Sequence, residues 1–91
     1  MIRVINLNDF VKTKDHLFRV KSRIIGTRGK TRAIIEDLTN TSISVFGKTV
    51  AIIGQVENLA LARRAVESLA SGSQHSAVYH WLEKQRRNVF F

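Results

Sequence analysis

The chain has 91 residues, with 15 Lys+Arg against 7 Asp+Glu for a formal charge of +8, and it contains neither cysteine nor proline. That length holds one small domain rather than two, and the lack of cysteine excludes disulfides and thiolate metal sites. No apolar run approaches the roughly 18 residues of a membrane span, no signal peptide is evident at the start, and a cysteine-free domain of this size points to an intracellular, cytoplasmic setting.

In chain order, Ile2-Arg3-Val4-Ile5-Asn6 is β-branched and predicts a short strand. A polar connection follows, with Phe10 and Val11 as its apolar anchors. From Lys14 to Ile25, Leu17, Val20 and Ile24 recur at spacings of three and four, one apolar stripe on a helix whose Arg19, Lys21 and Arg23 face water. Gly26 breaks that helix, and Gly29 follows. A second helix is expected over Lys30 to Thr39, with a stripe of Ile34 and Leu38 widened by Thr31 and Ile35, and with Glu36-Asp37 on a solvated face. Asn40 suits the left-handed residue that ends it.

Ser42 to Phe46 alternates, placing Ile43 and Val45 on one face and Ser42, Ser44 and Phe46 on the other. Thr49 to Ile53 is a second such run, and Gly47-Lys48 between them is of hairpin length. A third helix is expected from Val56 to Ala70 on Leu59, Ala62, Val66 and Leu69, with Glu57 at its anion-favouring end. A last amphipathic helix, from about Ser76 to Val89, carries Val78, Trp81, Leu82 and Gln85 on one side and Lys84, Arg86 and Arg87 at its end. The expected architecture is an α+β core over residues 1–73 and a helical extension over residues 74–91.

The positive charge is clustered. Residues 1–32 hold nine cations and two anions, whereas residues 33–73 hold three cations and four anions. Solubility does not require such clustering, and a basic region on one part of a fold is the footprint of a polyanion partner. Its centre is Gly26-Thr27-Arg28-Gly29. Glycines let a backbone approach a phosphate without a clashing Cβ. The loop also feeds the start of the second helix, whose free N–H groups and dipole attract anions, while Arg28, Lys30 and Arg32 add full charges. A plain helix–helix turn needs neither two glycines nor three flanking cations.

The order β-α-(GxxG)-α-β-β-α, with Ile24-Ile25-Gly26-Thr27-Arg28-Gly29 joining the first two helices, resembles a type I KH domain over nearly all of residues 1–73. The runs Arg23-Ile24-Ile25-Gly26, Gly29-Lys30-Thr31-Arg32, Ile35-Glu36-Asp37-Leu38-Thr39 and Ile43 to Val50 look like the second KH domain of the archaeal Dim two / Partner of Nob one-like ribosome-assembly family. The segment His75 to Glu83 is similar to that family's extension helix. The resemblance implies a three-stranded sheet packed against three helices, with an added C-terminal helix. It also implies a single-stranded RNA partner, small-subunit rRNA in its processing and assembly, with a ribosome-assembly or translation-factor protein as a further partner. No membrane, cofactor, metal or enzymatic activity is implied. The family protein carries two KH domains; this chain has room for one, and Arg32 stands where many KH domains have an aliphatic residue.

KH domains clamp about four nucleotides of backbone on the loop. The RNA-binding candidates are therefore Gly26, Thr27, Arg28 and Gly29, the flanking Arg23, Lys30 and Arg32, an aliphatic floor of Ile25, Ile34, Ile43 and Val45, and Ser44 on the same strand. The edge of that strand is expected to offer backbone donors and acceptors to bases. His16, His75 and His80 do not share a face suited to a metal, and no polar set converges for catalysis. Tyr79 and Trp81 could stack on bases, although a lone tryptophan on an amphipathic helix is more often a packing anchor. A protein-docking module is the alternative function, with the last helix and Phe90-Phe91 as its contact surface.

Overall fold

The computed structural model describes residues 1–89, running through strand β1 (Ile2–Asn6), helix α1 (Lys14–Ile25), helix α2 (Lys30–Thr39), strands β2 (Ser42–Phe46) and β3 (Thr49–Ile53), and helices α3 (Val56–Ala70) and α4 (His75–Val89). Short 3-10 turns occupy Leu7–Asp9 and Thr27–Gly29. The helix ends follow from local chemistry. Thr13 Oγ1 accepts the His16 N–H at 3.1 Å and opens α1. Asn40, at φ 53° and ψ 49°, closes α2, and both its N–H and that of Thr41 reach the Glu36 carbonyl.

The sheet is antiparallel in the order β1-β3-β2. Its register aligns Ile5, Val50 and Val45 in one row and Arg3, Ile52 and Ile43 in the next. Because side chains alternate across a strand, Ile5, Ile43, Val50 and Ile52 all turn inward and are buried. They meet Val20 and Ile24 of α1, Ile35 of α2, and Leu59, Ala62, Val66 and Leu69 of α3 in one hydrophobic core. The opposite face of the sheet is open, with Ile2, Val4, Phe46 and Ile53 exposed.

The extension helix shares this core. Val78 and Leu82 of α4 are buried in the same cluster. Trp81 packs against it, with the Arg64 guanidinium 5.2 Å above its ring, the packing anchor that is the commoner role of such a residue.

The buried face of α2 departs from the expected one. Thr31, Ile35 and Thr39 face the sheet and are buried, whereas Ile34 and Leu38 are half-buried on a flank beside α4. The polar members of the buried row at positions 31, 35 and 39 are satisfied by α2 itself, by the connection to β2 and by α4. Thr39 Oγ1 donates to the Ile35 carbonyl at 2.6 Å and lies 2.8 Å from Thr41 Oγ1, and Tyr79 donates its hydroxyl to Thr31 Oγ1 at 3.0 Å.

Candidate nucleic-acid interface

α1 stops at Gly26, which takes φ 75° and ψ 174° and donates its N–H to the Ser22 carbonyl at 2.8 Å. The chain then makes one 3-10 turn, with Arg28 at φ 56° and Gly29 at φ 74°, before α2 begins. A left-handed arginine costs roughly 1 kcal/mol, and such strain persists where the surroundings enforce it. The loop is tied internally, since Gly29 N–H reaches the Gly26 carbonyl at 3.2 Å and Lys30 N–H reaches the Thr27 carbonyl. The expectation of free amides at the start of α2 is thus corrected for these two groups. The anion attraction of the loop rests on the positive end of the helix dipole and on exposed side chains, namely Arg28, Lys30 and Arg32, with Thr27 also exposed.

From the loop, one flank of α2 runs toward β2 through Arg32 and Glu36. Arg32 Nε lies 3.9 Å from Glu36 Oε1, and Glu36 Oε2 accepts the Ile43 backbone N–H at 2.6 Å. Alternate residues of an edge strand turn their backbone groups outward. The bond to Glu36 identifies Ile43 as one of these in β2, and Val45, two residues on, is the next. Loop 26–29, the Arg32–Glu36 flank of α2 and the outer edge of β2 together form an open strip. Ile43 and Val45 lie on the inward face of β2 at its strand side, and Ile25 is half-buried at the end of α1.

Not every expected residue joins this strip. Arg23 is half-buried and turned to the end of α3. Its Nε donates to the Leu69 carbonyl at 3.3 Å and its Nη2 donates to the Ser73 carbonyl, so it caps the end of α3. Its own carbonyl accepts the Nε2–H of His75 at 2.9 Å. Ile34 lies on the other flank of α2, in a hollow with Ala33, Leu38 and Tyr79, because the sheet-facing position goes to Ile35. The Ser44 side chain lies on the open face of the sheet, in the row of Val4 and Ala51. Glu36, expected on a solvated face, is instead held at the edge of β2. Its spacing to Arg32 was the one available signal, since it sets an acid in the same row as a loop cation.

Part of α4, assigned above to a protein-docking surface, is occupied within the domain. Val78 and Leu82 are buried, Tyr79 bonds Thr31, and Phe90 and Phe91 lie outside the described residues.

The chain is similar to known proteins over most of its length. The family described as eukaryotic type KH-domain (KH-domain type I), in the form of the second KH domain of PNO1, matches residues 1–87. A KH domain-containing protein of Methanocaldococcus jannaschii is 39% identical over 89 residues, covering 98% of this chain and 39% of that protein. The pre-rRNA-processing protein PNO1 of Chaetomium thermophilum is 42% identical over 66 residues, covering 72% of this chain and 26% of that protein. Among solved structures, the a/eIF2alpha-aDim2p-rRNA complex from Pyrococcus horikoshii OT3 superposes with a TM-score of 0.90 at 45% identity, covering 97% of this chain and 48% of the matched one. The chain therefore spans half or less of the length of these relatives.

Proposed function

The chain belongs to the type I KH-domain family, and from that premise we propose that it is an RNA-binding module that clamps the backbone of a short single-stranded RNA on loop 26–29 and lays its bases along the β2 edge. The observation that carries this reading is the loop itself, where two positive-φ glycines bracket a strained, exposed Arg28 directly before α2, the helix whose Glu36 bonds the outward-facing edge of β2. A phosphate there would meet a close backbone, a helix dipole and two or three cations at once. Unpaired bases could reach the strand edge, which duplex RNA could not.

The setting we infer is small-subunit rRNA processing or assembly, with no catalytic step of its own. Support comes from the relatives, one a named pre-rRNA-processing protein and one solved in a complex with rRNA and a translation-factor subunit. A ribosome-assembly or translation-factor protein is the protein partner of this proposal, and the cytoplasm of an archaeon is its location. Among the described residues no helix is long and apolar enough to cross a membrane.

The test replaces Thr27 and Arg28 with Asp while keeping both glycines. Both side chains are exposed, and Asp tolerates the left-handed conformation of position 28, so the melting transition should shift by less than about 1 kcal/mol. RNA affinity should fall tenfold or more, as one favourable charge is lost and two repulsive ones arrive. An intact fold with unchanged affinity would overturn the clamp.

A further inference from the structure

Glu36 is an acid in the middle of a surface otherwise built for phosphate. Its Oε2 is fixed by the Ile43 N–H at 2.6 Å, a charge-assisted bond in a part-buried position. Its Oε1 lies 3.9 Å from Arg32 Nε, beyond hydrogen-bond range. The side chain keeps 27% of its surface exposed; Oε2 is anchored, while Oε1 has no hydrogen bond among the described residues and only the Arg32 guanidinium near it. In an antiparallel strand the N–H and C=O of one residue point to the same edge, so the Ile43 carbonyl lies beside the Ile43 N–H that Glu36 occupies.

These facts change what the strand edge offers. With its N–H occupied, Ile43 contributes only its carbonyl, and the neighbouring carboxylate accepts but cannot donate. Admitting a base acceptor to the Ile43 N–H would exchange a charge-assisted bond for a neutral one and release the carboxylate from its anchor. The retained arrangement is two acceptors side by side.

We propose that Glu36 is a specificity-determining residue of the cleft. With the Ile43 carbonyl it forms an acceptor pair that takes an exocyclic amino group, such as N4 of cytosine with its two hydrogens, and rejects the O4 carbonyl that uracil presents at the same position. This rests on the proposed reading of the strip as an RNA site. Carboxylates accept from cytosine N4 in the same way in duplex recognition, where a correct contact discriminates against the wrong base by about tenfold.

The experiment titrates the protein with fluorescein-labelled octamers of cytidine and of uridine, alongside the Glu36→Gln variant. Glutamine can still accept from Ile43 with its oxygen but turns an NH2 donor toward the cleft. Wild type should bind the cytidine octamer about tenfold more tightly, and Glu36→Gln should remove or reverse that ratio. If both octamers gain equally in the variant, Glu36 acts only as a diffuse repulsive charge and the inference falls. If wild type binds the two octamers equally, the inference also falls while the clamp stands. Binding to neither overturns the clamp, and the inference with it. A second measurement needs no variant. An octamer of N4,N4-dimethylcytidine has no amino hydrogen to donate, and wild type should bind it about tenfold more weakly than the cytidine octamer; equal binding would overturn the acceptor pair.

Discussion

Gly26 and Thr31 are packed so closely that a Cβ on Gly26 would overlap the Thr31 hydroxyl and lie 2.7 Å from its backbone nitrogen. Thr31 cannot yield, because it is buried in the first turn of α2 and its Oγ1 holds the Tyr79 hydroxyl. Gly29 has the same sign of φ but open space around it. The two loop glycines therefore differ in role. Gly26→Ala should cost about 3 kcal/mol, combining overpacking with left-handed strain. Gly29→Ala should cost only about 1 kcal/mol. Urea denaturation of both variants separates them, and equal losses would contradict the packing described.

Arg28→Gly should raise stability by about 1 kcal/mol, because glycine adopts φ 56° without the penalty that arginine bears. RNA affinity should fall by about fivefold, the worth of one charged contact. Paired melts and titrations of the variant check both signs. A variant that is no more stable would show that Arg28 is held by contacts other than the loop backbone.

Salt dependence counts the phosphate contacts. With Arg28, Lys30 and Arg32 each engaging one phosphate, log K should fall with log salt at a slope of about −2, from about 0.7 per contact for a single strand. Arg28→Gly should bring the slope to about −1.4 by the same constant. A flat dependence in wild type would be incompatible with phosphate contacts.

Arg23→Ala should act on the fold rather than on RNA. The guanidinium donates to carbonyls of Leu69 and Ser73 at the end of α3, and losing these bonds should cost about 1 to 2 kcal/mol. The salt slope should stay at its wild-type value. A slope lowered by about 0.7 would return Arg23 to the phosphate contacts.

The elements were legible because periodicity, capping residues and glycines agreed along the chain. Gly26 and Asn40 mark helix ends in the sequence, and the structure places ends at both, whereas the Thr13 cap of α1 emerges only in the structure. What was not legible depends on contacts between distant segments. Arg23 looks like any cation outside an apolar stripe until the end of α3 arrives 46 residues later to offer its carbonyls. Ile34 and Ile35 are equivalent by composition, and only the position of the sheet decides which one is buried. Glu36 follows the same logic, since its partner is a backbone amide that no side-chain pattern reveals.

The order of the sheet has a consequence for synthesis. β1 pairs only with β3, and its register joins Ile2 to Ile53. On a ribosome adding about 5 to 20 residues per second, the first strand waits about 3 to 10 seconds before its partner exists. During that interval Ile2, Val4 and Ile5 remain without a strand neighbour. The β2–β3 hairpin can close within microseconds once it is made, and the free edge of β3 is the one that β1 occupies. Of the three strands, the earliest in the chain thus pairs only with the latest, and the exposed interval falls on its β-branched residues.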